Sequence, residues 1–283
     1  MGFMDSLKKV KNTDEKKSKP LIPPNRSNSL LYFSDSWESF PKELYNWPRN
    51  IQFDRAVDRL DKETKKKYPH SLEIKVQYSK RDPKGFPEDD GKELINVVEN
   101  CLTPGPYDIR LIGIMTGAYC CQFVFCCGNG IEKNFKKAVK TIMGKKKGSF
   151  FAYRDFPNDD FKLYRDLIAP SKYDYNWIDN RILCDNLEKS GESFKKPRDM
   201  SFSIYFSSTD HIQAVSEKLQ KFGFHEAGRG TNEKGEYSLD LKRKGVPDID
   251  NITKLTNGIL DALEGTDGYF DGWSSSIIEK KET

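Results

Sequence analysis

Residues 201–223 have the sequence SFSIYFSSTDHIQAVSEKLQKFG, and this stretch decides the predicted fold of the second half of the chain. Its first seven residues place the apolar side chains Phe202, Ile204 and Phe206 at every second position, a period of two that predicts a strand. The following residues predict a helix that has a Ser/Thr/Asp cap, ends at Gly223 and buries one apolar stripe, Ile212, Val215 and Leu219. The stretch therefore predicts a strand followed directly by a helix.

The segments around this stretch extend the pattern to a complete domain. Residues 224–229 and 236–244 predict a hairpin with a turn at Asn232–Gly235, residues 248–263 a helix, and residues 268–279 a last strand. A further helix is predicted before the domain, over residues 179–189. The order is βαββαβ, which is the ferredoxin-like arrangement of an antiparallel sheet with both helices on one face.

The first half of the chain repeats this order. Its predicted elements are a strand at 71–79, a helix at 92–102, strands at 108–116 and 119–127, a helix at 131–143 and a strand at 149–156. A lead-in strand at 29–34 and an aromatic segment with Trp37, Phe40, Tyr45 and Trp47 come before them. We therefore predict an α+β protein with two ferredoxin-like domains in tandem, at 29–168 and 176–283, after a disordered basic tail at 1–28.

Composition narrows the class of protein. The 283 residues contain no apolar run near the ~20 residues that span a bilayer, and the N-terminus lacks the apolar region of a secretory signal. The expected location is the cytoplasm, without a membrane partner and with the six cysteines reduced. Gly2 and Ser6 fit a myristoylation pattern, which leaves lipidation of the tail open.

Charge differs between the two halves. Residues 171–283 contain 16 Lys and Arg against 20 Asp and Glu, a net charge of −4, whereas residues 1–170 contain 31 against 23, a net charge of +8. This division favours a protein that binds partners through charged surfaces over a dedicated nucleic-acid binder, whose charge is concentrated in one patch.

The candidate catalytic and metal-binding residues have simpler structural explanations. The pairs Cys120-Cys121 and Cys126-Cys127 lie on one predicted strand, where adjacent side chains face opposite sides and cannot meet at one zinc ion. No nucleophile or phosphate-binding motif is present, and we predict no catalytic residue, metal or cofactor. An enzyme, such as a nuclease or hydrolase, would have to use Asp248, Asp250 and Asp271, and helix capping explains the first two.

A basic helix face is the weak candidate for nucleic-acid binding. It comprises Lys136, Lys137, Lys140, Lys145, Lys146 and Lys147. A solvated helix surface explains these lysines as well, and the alternative is contact with RNA phosphates.

The end of the chain resembles a known family. The sequence GYFDGW at 268–273, the segment Lys196-Pro197-Arg198-Asp199 before an aromatic strand, and Lys221-Phe222-Gly223-Phe224 after the helix resemble the ribonuclease E regulator B family over about 176–280. That family consists of ferredoxin-like inhibitors of a ribonuclease. A His that tandem relatives often have near Phe202 is absent here.

The first half resembles the uncharacterised family DUF695, which is often fused ahead of such a regulator domain. The similar features are Trp37, Gly85-Phe86-Pro87, the Gly113 to Gly117 segment and LYRDLIAP at 163–170. The Arg that is usual near the hairpin is replaced by Ala118-Tyr119-Cys120.

These resemblances imply a non-catalytic regulator or adaptor that binds a protein partner, a ribonuclease by analogy. The alternatives are an immunity protein that neutralises a toxin, and RNA binding through the basic helix face. The candidate partner-binding residues are Tyr269, Asp271, Trp273, Arg198 and Asp199. For GYFDGW, a role as core anchors beside a turn is the competing explanation.

Overall fold

The computed structural model describes residues 33–34, 36–78, 80–88, 109–143, 150–157 and 161–278. The chain divides into two compact units, residues 1–169 and 170–283. Each unit contains one antiparallel sheet with helices, so the protein is α+β. The tail at 1–28, the predicted helix at 92–102 and most of the predicted strand at 29–34 lie outside the described residues.

The first unit contains a six-stranded sheet. In chain order its elements are β1 (Trp37–Leu44), β2 (Trp47–Asp54), α1 (Lys62–Lys66), β3 (His70–Gln77), β4 (Ile109–Gly117), β5 (Cys120–Cys127), α2 (Glu132–Met143), β6 (Phe150–Pro157) and α3 (Lys162–Leu167). The strand order is β1-β2-β4-β5-β3-β6, and all of the paired neighbours are antiparallel. The four predicted strands form the β4-β5-β3-β6 part of this sheet.

The β1–β2 hairpin is an addition that the sequence pattern did not predict. The aromatic segment beginning at Trp37 forms this hairpin, and β2 pairs with the edge of β4 from Arg49↔Gly117 to Phe53↔Gly113. Pro41 and Pro48 interrupt the alternation there, which is the reason that no strand was predicted. Pro41 lies on the edge strand β1, where one side of the backbone makes no ladder hydrogen bonds, and Pro48 lies on β2 just before its pairing with β4 begins at Arg49.

The first sheet is covered on both faces. All eight residues of β5 are buried. Phe135 of α2 packs on Phe125, and Ile168, just after α3, lies against Gly113, which pairs with Val124. Phe125 and Val124 are adjacent on β5 and so face opposite sides. A strand that is apolar throughout needs cover on both sides, and Ile168 covers the face opposite α2 near Gly113. The predicted helix at 92–102 lies outside the described residues, so the expectation that both helices of the βαββαβ order share one face stays a prediction for this unit.

The second unit contains a four-stranded sheet. Its elements are α4 (Lys172–Lys189), β7 (Arg198–Phe206), α5 (Ile212–Lys221), β8 (His225–Thr231), β9 (Tyr237–Gly245), α6 (Ile249–Ala262) and β10 (Gly268–Ser275). From β7 onward the order is βαββαβ, as predicted, and the antiparallel strand order is β10-β7-β9-β8. The three helices contribute to one core with a single face of the sheet.

Two helix starts differ from the sequence prediction. Helix α4 begins seven residues before the predicted Asp179, because the Ser171 side chain and Asp174 form a reciprocal capping box. Helix α5 is preceded by His211, which makes no side-chain capping hydrogen bond, so the predicted Ser/Thr/Asp cap is wrong. Asp248 does cap α6, where its side chain accepts from the Asn251 backbone N–H at 2.9 Å.

Candidate functional site

One face of the second sheet is left open to solvent. Along β7, every second side chain from Met200 to Phe206 is buried in the core, and the intervening ones are exposed or half-buried. Strand β7 is central, so this alternation exposes the middle of the sheet as well as its edges. We call this surface the open face and define it by Asp199, Ser201, Ser203, Tyr205, Asp240 and Tyr269.

A stacked pair of tyrosines marks one end of the open face. Tyr269 of β10 lies opposite Tyr205 of β7, and their ring centroids are 5.7 Å apart at an interplanar angle of 29°. Tyr269 is 44% exposed, although it packs on its neighbour. Such pairs combine a large apolar area with a fixed geometry.

The hydroxyl group of Tyr269 is also fixed. It donates a hydrogen bond to Glu236 Oε2 at 3.2 Å, and Asn232 donates to the same oxygen at 2.8 Å. Partial burial and the bond to Glu236 raise the pKa of Tyr269, whereas the bond from Asn232 lowers the pKa of Glu236. At neutral pH the tyrosine is therefore protonated and the glutamate is ionised.

Asp271 lies in a β-bulge. The β10–β7 register shifts between Phe270 and Gly272, which leaves Asp271 as an exposed extra residue without a partner position on β7. Gly272 has φ +147°, in the region that strains side chains. The GYFDGW sequence thus produces a local bend that separates an exposed Tyr-Asp half from a buried Trp half.

Trp273 belongs to the core. It is 9% exposed, and its indole N–H donates to Asn180 Oδ1 at 2.9 Å. The Asn180 amide in turn donates to Thr256 Oγ1 at 2.8 Å, and so does Asn176 at 2.7 Å. This buried polar network joins α4, α6 and β10. Trp273 therefore holds β10 to the helices on the side of the sheet opposite the open face.

Arg198 is likewise buried. Its Nη2 lies 2.7 Å from Glu192 Oε1, and the two residues are 7% and 1% exposed. Glu192 also accepts from the backbone N–H groups of Phe194 and Ile278, at 2.6 and 2.8 Å. Burial acts to raise the pKa of Glu192, but Arg198 and the two N–H groups outweigh it and the net pKa is lowered.

The five candidate partner-binding residues therefore divide into two groups. Tyr269, Asp271 and Asp199 have exposed side chains, and Asp199 and Tyr269 lie on the open face about 20 Å apart along the strands. The side chains of Trp273 and Arg198 are only 9% and 7% exposed, so they lie on the covered side of the sheet, and their role in partner binding stays a prediction. Sequence reasoning missed Tyr205 and Glu236, and the alternation SFSIYFS was the signal that could have found Tyr205.

A polar cluster beside the open face was also missed. Asp267 accepts hydrogen bonds from the Ser207 hydroxyl and the Ser208 N–H, both at 2.7 Å, and lies 2.7 Å from His211 Nδ1. These bonds, the one from Ser207 foremost, hold the pKa of Asp267 below its usual value. The serine bonds to the carboxylate and not to the imidazole, so this cluster fixes the loop between β7 and α5 and does not activate a nucleophile.

The basic helix face is only partly described. Lys136, Lys137 and Lys140 are exposed on α2, and Lys145–Lys147 lie outside the described residues. Lys136 and Lys137 already interact with other residues. This face remains a prediction for RNA contact.

The cysteines and acids form no metal site among the described residues, where no group of three His, Cys, Asp or Glu side chains has a suitable arrangement. The side chains of Cys120, Cys121, Cys126 and Cys127 are buried along β5. Burial raises the pKa of the Cys184 thiol to about 12. None of the described helices is both long and apolar enough to cross a membrane.

Comparison with family models gives two adjacent matches. Residues 35–168 match the family of unknown function DUF695, and residues 177–275 match the family described as regulator of ribonuclease activity B. Both resemblances drawn from the sequence are thereby confirmed. The second match includes β7 to β10, and therefore the whole open face.

Other comparisons add little. None of the curated proteins matches the chain. Among solved structures, an unknown protein from Galdieria sulphuraria is 10% identical, with 71% of this chain and 96% of that chain covered and a TM-score of 0.19. A protein proposed to be a glycine cleavage system transcriptional repressor is 6% identical, with 73% and 98% covered and a TM-score of 0.21. At these TM-scores neither structure assigns a fold.

Proposed function

We propose that this chain, in which a DUF695 region precedes a region of the regulator of ribonuclease activity B family, is a non-catalytic regulator that binds a protein partner through the open face of its second sheet. The match at 177–275 to a family of regulators carries this proposal. By analogy with that family, the partner would be a ribonuclease. We further propose that the four-stranded sheet with its βαββαβ order is a ferredoxin-like domain.

The open face has the composition of a binding surface. Residues that dominate protein interfaces are rigid aromatic side chains surrounded by polar groups. Tyr269 and Tyr205 provide the aromatic centre, and Glu236, Asp271 and Asp240 provide carboxylates around it. The stacking and the bond to Glu236 fix the Tyr269 ring before binding, so little side-chain entropy is lost when a partner covers it.

Contacts on the covered side of the second sheet also hold its strands in place. On the covered side, Trp273 holds β10 to α4 and α6 through the Asn180 network, and Arg198 holds β7 to Glu192 in the loop after α4. A residue change on the open face can therefore alter binding without unfolding the domain, which makes the proposal testable by substitution.

The test is inhibition of a ribonuclease E-type endonuclease by the purified full chain, followed with a fluorescent RNA substrate and by calorimetric titration. We expect binding with a Kd below about 10 μM. Tyr269→Ala should weaken it by about tenfold or more, as expected for an aromatic hot spot. Phe222→Ser is the matched control, because Phe222 is 59% exposed at the end of α5 and away from the open face.

Two results would contradict the proposal. One is the absence of binding to both a ribonuclease and a panel of toxin nucleases, which represent the immunity alternative. The other is binding that Phe222→Ser weakens and Tyr269→Ala leaves unchanged, which would place the interface on the helical side of the unit.

A further inference from the structure

Three segments of the first unit meet at one end of its sheet. They are the β1–β2 turn at Tyr45-Asn46, the β4–β5 turn at Ala118-Tyr119, and the loop 80–88 that follows β3. The strand registers place them together, since β2 pairs with β4 at Arg49↔Gly117 and β3 pairs with β5 at Gln77↔Cys120. We call this region the hairpin end and define it by Tyr45, Trp47, Arg49, Arg81 and Tyr119.

Aromatic rings and a guanidinium group stack at the hairpin end. The Tyr119 ring lies 4.7 Å from the Trp47 ring in an edge contact, and the Arg81 guanidinium carbon lies 3.8 Å from the Tyr119 ring centroid. Tyr45, at the tip of the neighbouring turn, is 93% exposed. Aromatic rings combined with arginine are the usual elements of surfaces on which nucleic-acid bases stack.

The backbone beneath these side chains is fixed. The Tyr119 N–H donates to the Gly85 carbonyl at 3.0 Å, and the buried Tyr78 hydroxyl donates to the same oxygen at 2.7 Å. Within the loop, Asp82 Oδ1 accepts from the N–H groups of Lys84 and Phe86, each at 2.9 Å. A ligand would therefore meet a surface that is already ordered.

Both turns hold non-glycine residues in the left-handed region. The φ values are 54° at Tyr45, 63° at Asn46, 43° at Ala118 and 73° at Tyr119. Two-residue hairpin turns with positive φ at both positions favour Asn-Gly or Gly-Gly, because most side chains are strained there. Tyr45 contributes almost nothing to packing, yet it occupies such a position, and strained residues of this kind cluster at functional sites.

Within the described residues, the two arginines of the hairpin end have no acidic partner. Arg49 Nη1 donates to the Gly117 carbonyl, its Nε has no acceptor among the described residues, and neither Arg49 nor Arg81 contacts a carboxylate in that part of the chain. Elsewhere in the same sheet, by contrast, Arg154 pairs with the buried Glu73. Two guanidinium groups beside aromatic rings, without a carboxylate partner among the described residues, favour an anionic ligand that also has flat faces.

We propose that the hairpin end binds single-stranded nucleic acid, with bases stacked on Tyr45 and Trp47 and phosphates contacted by Arg81 and Arg49. An acidic peptide would satisfy the arginines but would give no role to the strained, fully exposed Tyr45 ring. The site lies outside the open face and does not depend on the regulatory function proposed for the second unit.

The experiment is fluorescence anisotropy with the full chain and labelled oligoadenylate of about ten nucleotides, made as RNA and as DNA. Titrations between about 50 and about 200 mM KCl give the salt dependence, and contact with two phosphates predicts a slope of about −1.4 for log K against log salt. The two backbones distinguish recognition of the ribose hydroxyl from recognition of bases and phosphates alone. Equal affinities support the proposal in its simplest form, and a preference for RNA adds a ribose contact to it.

Two variants separate stacking from charge. Tyr45→Asn removes the ring and places a residue that tolerates positive φ at the turn, so it should lower the affinity about fivefold or more with an unchanged salt slope. Arg81→Gln, at an exposed position, should weaken binding and reduce the magnitude of the slope by about 0.7. Thermal unfolding of each variant checks that the unit is intact.

The control is the α2 triple variant, Lys136→Gln with Lys137→Gln and Lys140→Gln, which should leave affinity and slope unchanged. Loss of binding in this variant alone would overturn the proposal in favour of the basic helix face. Competition by an oligoglutamate peptide with no effect of Tyr45→Asn would identify an acidic protein segment as the occupant instead. Binding without salt dependence, or no binding to either oligonucleotide, would also refute it.

Discussion

The two sheets of this protein differ in how many of their faces are covered. In the first sheet, β5 is buried along its whole length, whereas in the second sheet β7 alternates between core and surface. A sheet that is covered on both sides can offer a ligand only its ends and edges, but a half-open sheet offers a whole face. The candidate sites lie where this difference predicts them. One is at the hairpin end of the first sheet, and the other is on the open face of the second.

The burial of polar residues differs between the two sheets in the same way. The first sheet buries Glu73, which must be satisfied internally by Gln122 and Arg154, while the second leaves Ser201 and Ser203 at the surface. Substitutions on equivalent strands should therefore have unequal effects in the two units.

The largest effect is expected at Trp273. Trp273→Ala should destabilise the second unit by about 3–5 kcal/mol, because it leaves a cavity and removes the donor to Asn180. Tyr269→Ala, four residues away on the same strand, should cost less than about 1.5 kcal/mol, since the lost aromatic pair is exposed. Urea denaturation measures both, and equal losses would mean that the two faces of β10 do not differ.

Arg198→Met tests the covered side of β7. It leaves Glu192 buried without its cation, and the expected loss is about 3–5 kcal/mol at neutral pH. The pKa of Glu192 is lower in the folded chain than the ordinary value of about 4.3, so its pairing adds stability above that pH. That contribution disappears as the pH falls through the folded pKa.

The control for this pair is the double change Arg198→Met with Glu192→Gln, since the glutamine amide oxygen can still accept from the Phe194 and Ile278 N–H groups. Removal of both charges should recover part of the lost stability and flatten the acid side of the stability–pH curve. A curve of unchanged shape in the double variant would show that another carboxyl group sets the acid dependence.

The sequence predicted the second unit better than the first, for a physical reason. Strands such as SFSIYFS show a period of two because one face of the sheet is exposed to solvent. The predicted starts of β8, β9 and β10 agree with the structure within one residue, whereas the predicted end of β10 lies four residues too far along the chain. The β1–β2 hairpin was missed because its prolines and mixed polar residues show no such period. Nothing in the local sequence indicates that a further hairpin will pair with the edge of a sheet.

The candidate site was predictable only in part. GYFDGW identified the strand, but which of its residues are exposed depends on the bulge at Asp271. Arg198 and Trp273 were proposed as contact residues because they lie in the segments that resemble the regulator B family. Their partners Glu192 and Asn180 lie 6 and 93 positions away in the chain, and nothing in the local sequence indicates the second pairing.

A matched cysteine and serine exchange compares the centres of the two sheets. Cys126→Ser places a hydroxyl group at a fully buried position of β5 and should destabilise the first unit by about 1–3 kcal/mol. Ser201→Cys on the open face of β7 should change stability by no more than about 0.5 kcal/mol. Chemical denaturation tests the pair, and a neutral Cys126→Ser would show that the first sheet has room for water near this strand.

Effects of opposite sign are expected when the same substitution, tyrosine to asparagine, is made at two exposed tyrosines, one in each unit. Tyr45→Asn should stabilise the first unit by about 0.5 kcal/mol, because asparagine tolerates a φ of 54° better than tyrosine does. Tyr269→Asn should destabilise the second unit by about 0.5–1.5 kcal/mol, since it breaks the stack with Tyr205 on an extended strand. Hydrogen exchange of the amides flanking each position measures the local change in both units. Stability changes of opposite sign would show that tyrosine at position 45 destabilises its own turn, as expected for a residue kept for binding. Destabilisation of similar size in both variants would show that Tyr45 has an ordinary structural role.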